Sequence, residues 1–154
     1  MPGPRCYIAS PLGFTEGGRH YYNHIYLPAL AEVVTPVDPW ELTPAAEVEE
    51  ARSRGALRAL MLTAAERNSQ AIRSSPLLAA FLDGQEPDSG TVAELGYAAG
   101  LGKLCFGLRT DLRQAGEEGA LLNIQVESLV LESGGRIVAS LAELVAALGA
   151  AARD

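Results

Sequence analysis

The chain has little of what several kinds of protein are built from. It holds two cysteines, Cys6 and Cys105. Each falls in a strand-like apolar run, so core packing in a reducing compartment is expected rather than a disulfide framework. Basic residues are in deficit, 12 Lys and Arg against 19 Asp and Glu, for a formal charge of −7. A polyphosphate needs a basic footprint, so DNA and RNA are excluded as partners, whereas a neutral small molecule is not. No apolar run reaches the roughly 18 residues that span a bilayer. Met1-Pro2-Gly3-Pro4-Arg5 leads straight into a strand-like segment without a signal-peptide pattern. No membrane and a cytoplasmic location are therefore expected. Histidine is scarce too. His20 and His24 lie four apart with Glu16 four before them, but neither a Cys nor another His joins the trio. Zinc sites need more than this, and partly exposed helix histidines are the better reading. Neither a metal nor another cofactor is expected. Internal repeats, low-complexity tracts and linkers are also lacking.

What is present is enough for one ordinary domain spanning residues 1–154. A chain of this length buries roughly 70% of the surface its unfolded form exposes, and the 48% hydrophobic content supplies a core. Short β-rich runs alternate with helical stretches. Cys6 to Ala9 reads as a first strand, and Val33 to Val37 as a weak second one. Leu77 to Leu82 is an apolar run typical of a strand buried on both faces. Leu104 to Gly107 and Arg136 to Val138 complete the set. Helical spacing runs from about Glu16 to Val33, with a kink or break at Pro28. It recurs from Pro44 to Ser74, broken near Gly55, and then over Thr91–Leu101, Asn123–Leu131 and Ser140–Ala152. The Tyr21-Tyr22 pair in the first helix reads as packing. Gly100-Leu101-Gly102-Lys103 resembles a phosphate loop only superficially, because it ends a helix instead of starting one. Strands alternating with helices imply a parallel sheet covered on both faces. Five strands predict an α/β, flavodoxin-like, doubly wound fold. Ligands in such sheets bind beyond the carboxyl ends of the strands, which selects Ala9 to Phe14, Asp38 to Trp40, Asp83 to Thr91 and the loop after Gly107.

The segment from Asp83 to Glu94 is the richest of these. It places Asp83, Glu86 and Asp88 with two glycines in a strand-to-helix loop, and Glu94 in the first turns of the helix that follows. Cleaving a glycosidic bond with retention needs a carboxylate nucleophile and a second acidic group for the leaving group. A nucleophilic carboxylate must stay ionised, which the start of a helix favours through its dipole. Asp88, at the rim of the loop, could supply or relay the leaving-group proton. A structural reading fits the same residues. Thr91-Val92-Ala93-Glu94 has capping-box spacing, and Asp88 or Ser89 could be an ordinary cap.

The run Asp88-Ser89-Gly90-Thr91-Val92-Ala93-Glu94-Leu95-Gly96-Tyr97-Ala98 resembles the signature of the nucleoside 2-deoxyribosyltransferase family. Tyr7, Gly13-Phe14, Asp38-Pro39-Trp40 and Asn123-Ile124-Gln125-Val126-Glu127 are similar to further family segments, in the same order along nearly the whole chain. The resemblance implies base exchange on 2′-deoxynucleosides with free purine or pyrimidine bases. In that reaction Glu94 attacks C1′, the first base leaves a covalent deoxyribosyl-enzyme, and a second base attacks with overall retention. It implies that Tyr7 holds Glu94 and that Asp88 handles the base and its proton. Gly13, Phe14, Asp38, Trp40, Asn68 and Gly90 would form the substrate site, with Phe14 and Trp40 as flat walls for the base. Asn123 and Gln125 match positions that reach the sugar in a neighbouring subunit's site, so a homo-oligomer with shared sites, dimer or hexamer, is implied.

The chain departs from the family pattern at three places. Asn68 stands where several members carry Asp, and Pro76 where Asp is frequent. The sequence ends Ala152-Arg153-Asp154 instead of in the aromatic residue that holds the sugar in some members. An amide can recognise a base but cannot shuttle a proton. Two other functions compete. One is a relative that hydrolyses nucleoside 5′-monophosphates, with Gly17-Gly18-Arg19 holding the phosphate. The other is a non-catalytic nucleotide-binding module in which Asp88 and Glu94 are only caps.

Overall fold

The computed structural model describes residues 3–153. Five strands pair in parallel: β1 (Arg5–Ala9), β2 (Thr35–Val37), β3 (Leu77–Phe81), β4 (Leu104–Leu108) and β5 (Ile137–Val138), in the spatial order β2-β1-β3-β4-β5. This is the flavodoxin-like doubly wound order. It arises because successive side chains of a strand point to opposite faces and here both sets are apolar. Cys6, Ile8, Leu77, Ala79, Phe81, Phe106 and Leu108 face one way, against Tyr22, Tyr26 and Leu30 and against Leu144, Ala147 and Leu148 of α7 (Leu141–Ala151). Tyr7, Ala9, Leu78, Ala80, Leu82 and Cys105 face the other way. They meet Ala71 and Ile72 of α4 (Leu57–Arg73), Leu95 and Ala98 of α5 (Ser89–Gly100), and Val126 and Val130 of α6 (Ile124–Glu132). Each fully buried aliphatic side chain contributes about 1.5–3 kcal/mol. Both cysteines are free and buried, as their apolar runs imply.

Several boundaries differ from the sequence expectation. The first helical stretch is divided into α1 (Glu16–Tyr21), a π turn over Tyr22–Tyr26, and α2 (Leu27–Ala31). Pro28 lacks an N–H and its ring displaces the preceding turn. The chain takes up the disturbance upstream as one wide turn, with Leu27 N donating to the Tyr22 carbonyl. β2 is shorter than expected, because Val33 and Val34 turn back on the Leu30 carbonyl before pairing starts. The long helical stretch splits, as Gly55 suggested, into α3 (Ala45–Ser53) and α4, with Gly55 at φ +67° where a side chain would be strained. Asn123 and Ser140 stand as the N-caps of α6 and α7. Gly100-Leu101-Gly102-Lys103 is the turn leaving α5, with Lys103 N donating to the Ala98 carbonyl. Among the described residues no helix is long and apolar enough to cross a membrane.

Candidate active site

The chain runs from β1 to β2 on one side and from β3 to β4 on the other. The order therefore reverses between β1 and β3, the place where doubly wound sheets bind ligands. A cavity of about 550 Å³ lies there, with Ser10 and Phe14 after β1, Trp40 after β2, Asp88 to Thr91 and Glu94 after β3, and Asn68 of α4 on its wall. Thr43, Val48, Met61 and Ala64 close its remaining side.

α5 starts two residues earlier than the helical spacing suggested. Asp88 is its N-cap, and Asp88 Oδ2 accepts from Thr91 N at 2.9 Å and from Thr91 Oγ1 at 3.1 Å. This overturns the capping box at Thr91. Thr91 already lies within the helix, and the Glu94 carboxylate is occupied elsewhere. Glu94 Oε1 accepts from the Tyr7 hydroxyl at 2.6 Å and from Asn68 Nδ2 at 3.4 Å. Both donors converge on one oxygen, so Oε2 accepts from none among the described residues.

Glu94 is the sixth residue of α5, and the helix dipole falls off within the first turn. The expected help from the helix start is therefore weak. Burial raises the carboxyl above its ordinary value; the Tyr7 and Asn68 hydrogen bonds oppose the rise, and the Asp88 charge adds to it. Tyr7 lies wholly buried behind the cavity wall. Burial first, then the Glu94 charge, pushes its phenol far above the ordinary range, so it remains a donor at any working pH. One pinned oxygen and one open oxygen on a cavity wall can act as an oriented nucleophile or an electrostatic stabiliser.

Phe14 and Trp40 meet edge to face, ring centroids 4.9 Å apart, while remaining 70% and 45% exposed. Gly13 makes this approach possible, since a Cβ there would lie 2.2 Å from the Trp40 ring. Asp38 is not on the wall; it sits behind it, where it caps the short 3-10 turn that carries Trp40. Gly90 lines the cavity. Asn123 and Gln125 do not. Both are exposed, and Asn123 Oδ1 accepts from Gln125 N at 3.1 Å. Arg19 is exposed and also absent from the wall, with Nη1 3.4 Å from the Gly13 carbonyl. His20 and His24 are exposed with ring centroids 4.7 Å apart, and no cluster of three metal-ligating side chains occurs among the described residues.

Two features were not anticipated from the sequence. Arg109, 6% exposed, donates to the carbonyls of Leu82, Gly84 and Arg113. It ties together the loops that leave β3 and β4, the first of which leads to Asp88. An arginine directly after a buried strand is the one signal that could have marked it. Arg67 grips the α3 segment, pairing with both oxygens of Glu47 and donating to the Leu42 carbonyl. A second cavity of about 570 Å³ lies beyond β4 and β5. Its acid, Asp111, is already held by Arg113 and by Gly84 N.

An α/β sheet of this order, with a carboxylate held by a phenol at its switch point, places that pair where such folds bind small molecules. The chain belongs to the nucleoside 2-deoxyribosyltransferase family, whose model matches residues 6–140. A conserved protein of Enterococcus faecalis V583 has a similar structure, with TM-score 0.72, 25% identity, and coverage of 97% of this chain and 99% of that one. The 2-desoxiribosyltransferase of Leishmania mexicana aligns with TM-score 0.65 and 25% identity over 93% and 97% of the two chains. The 2-deoxyribosyltransferase of Bacillus psychrosaccharolyticus shares the fold, with TM-score 0.60 and 19% identity over 92% and 90%. Among curated sequences no match was found. Family membership points to a glycosyltransferase-type enzyme whose substrates are nucleosides and bases.

Proposed function

We propose that this chain exchanges the base of 2′-deoxynucleosides through a covalent deoxyribosyl intermediate on Glu94. The observation that carries the reading is the Tyr7–Glu94 contact on the wall of the switch-point cavity. In the first half-reaction Glu94 Oε2 forms a bond to C1′ while the C1′–N bond breaks. The electron pair leaves with the base, and Asp88 relays a proton to it. In the second half, a new base attacks C1′ and the Glu94–C1′ bond breaks, its electron pair returning to the carboxylate. The incoming base gives up its proton to Asp88, replacing the one passed to the first base. Two inversions yield net retention. Trp40 and Phe14, whose rings meet edge to face, form the apolar wall against the base, with Gly13 behind them and Gly90 beside it. Asn68 steadies Glu94 and faces the substrate as an amide. Asn123 and Gln125 serve the sugar from a neighbouring copy, in a dimer or hexamer. Its two free buried thiols suit a cytoplasmic enzyme, and the chemistry needs no cofactor.

Free nucleosides fit the site better than 5′-monophosphates. The wall carries two carboxylates, Asp88 and Glu94, and no Lys, Arg or His. A phosphate dianion would meet like charge in a partly dry pocket. Incubating the protein with deoxyinosine plus adenine should yield deoxyadenosine and hypoxanthine. Glu94→Ala should abolish the exchange with the fold intact, because the covalent route needs the carboxylate. Free deoxyribose without exchange would indicate a hydrolase. A Glu94→Ala variant that keeps near-native turnover would sink the assignment. Comparison of kcat/KM for deoxycytidine and its 5′-monophosphate, in parent and Arg19→Ala, tests the substrate class. A monophosphate preference that disappears with Arg19 would reverse it.

A further inference from the structure

Trp40 and Phe14 present large apolar faces to solvent at the cavity mouth, so their pose must be fixed from behind. Trp40 rides on a 3-10 turn of only three residues, Pro39–Glu41. Pro39 has no N–H, which leaves Trp40 N as the donor that can anchor the start of this turn. It donates to Asp38 Oδ1 at 3.0 Å. The same oxygen accepts from the Tyr22 hydroxyl at 2.9 Å. Tyr22 is 2% exposed and opens the π turn over Tyr22–Tyr26. π turns are rare and are found frequently at functional sites.

We infer that Tyr22 and Asp38 are positioning residues for the base: the buried phenol fixes the Asp38 carboxylate, and that oxygen fixes the turn that aims Trp40 across Gly13 at Phe14. The inference rests on the reading of this cavity as the base site. Neither residue lines the cavity, so neither needs to touch substrate. Their role is to hold the edge-to-face Phe14–Trp40 wall in one arrangement before the base arrives, which lowers the ordering cost of binding. Because both bonds end on Oδ1, an acceptor is required there and a negative charge is not. Oδ2 of Asp38 accepts from no donor among the described residues. This separates the proposal from one in which Asp38 binds the substrate by its charge.

Trp40 is the only tryptophan in the chain, so intrinsic fluorescence reports this turn with or without a substrate. Tyr22→Phe removes one oxygen and keeps the ring in the core. It should shift Trp40 emission to longer wavelength and raise acrylamide quenching roughly twofold, as a loosened indole meets more water. KM for the donor nucleoside should rise about tenfold while kcat changes by less than roughly threefold, the pattern of lost ground-state binding. Asp38→Ala should behave in the same way. Asp38→Asn, which keeps an acceptor oxygen, should restore most of what Asp38→Ala loses. Unchanged emission and quenching in both Tyr22→Phe and Asp38→Ala would overturn the proposal. So would an Asp38→Asn variant as impaired as Asp38→Ala. Should Tyr22→Phe fail to fold by circular dichroism, the Asp38 pair alone decides. If the parent exchanged no base, the assigned reaction would fail, while the fluorescence of these variants would still decide whether the two residues hold Trp40.

Discussion

At the scale of single residues, the site is a contest over one proton. Burial and the Asp88 charge favour protonated Glu94, while donors from Tyr7 and Asn68 favour the carboxylate. Activity through a Glu94 nucleophile requires ionisation. The acid limb of kcat/KM should therefore lie above the ordinary carboxyl range. Tyr7→Phe removes the stronger of the two opposing donors, so the limb should move to higher pH, and kcat should fall roughly ten- to a hundredfold through lost aim. A pH–rate profile with an unmoved limb would separate Tyr7 from Glu94. The same balance has a stability side. A carboxyl whose value is raised in the folded state ionises first in the unfolded chain, so stability falls as pH rises from the ordinary value through the raised one. Glu94→Gln keeps an acceptor for the Tyr7 hydroxyl and removes the buried charge. It should raise Tm at pH 7, and the gain should vanish in acid, where the parent is neutral too. A lower Tm at pH 7 would mean that Glu94 carries no desolvation cost.

At the scale of elements, much was legible in the chain because the physics is local. The Leu77 to Leu82 run carried the signature of a strand covered on both faces, and Gly55 marked the break of the long helical stretch through a φ that other residues resist. Asn123 and Ser140 emerged as caps one residue from the expected starts. The π turn before Pro28 was not legible, since periodicity indicates that a helix must yield at proline and not where. Nor was the start of α5: Asp88, Ser89 and Thr91 are all good caps, and only the fold selects Asp88. The Tyr7–Glu94 contact joins residues 87 apart. Spacing cannot reveal such a pair, which became visible only through family likeness. Asn68, read as a departure, turns out to donate to Glu94, something an ionised Asp could not do.

The α3 helix illustrates an element held by few contacts. It has no buried residue, and Arg67 joins it to α4 through Glu47 and Leu42. Thr43 and Val48 bring this segment to the cavity wall. The Arg67–Glu47 pair is about one-third exposed on each side, 34% and 36%, so salt should weaken it. Arg67→Ala should leave global Tm nearly unchanged and speed proteolysis and hydrogen exchange across residues 43–56, with KM rising more than kcat falls. Added salt should move the parent in the same direction. Exchange rates in that segment equal to the parent's would mean that α3 is held by contacts other than Arg67.

At the scale of the whole molecule, the two amides proposed to serve the sugar, Asn123 and Gln125, do not line the cavity of their own copy. Asn123 and Gln125 are exposed, close to Leu121 and Ile124, which are 56% and 52% exposed. An apolar rim beside two amides is a surface suited to another copy of the chain. Composite sites make a sharp prediction through mixing. Asn123 caps α6, so its loss would confound stability with function; Gln125, whose side chain bonds nothing among the described residues, is the cleaner partner. Glu94→Ala alone should exchange no base, and Gln125→Ala alone should exchange bases poorly through a raised KM. In a dimer whose sites each combine Glu94 of one copy with Gln125 of the other, a mixed pair holds one intact site and one doubly broken site. Random reassortment of equal amounts makes half the dimers mixed, so about one quarter of the parent's sites should return. Recovery near that fraction, appearing only after subunits have had time to exchange, would establish sharing. If exchange were verified by mass and activity remained the simple average of the two variants, each copy would own its whole site, and Gln125 would have no part in binding the sugar.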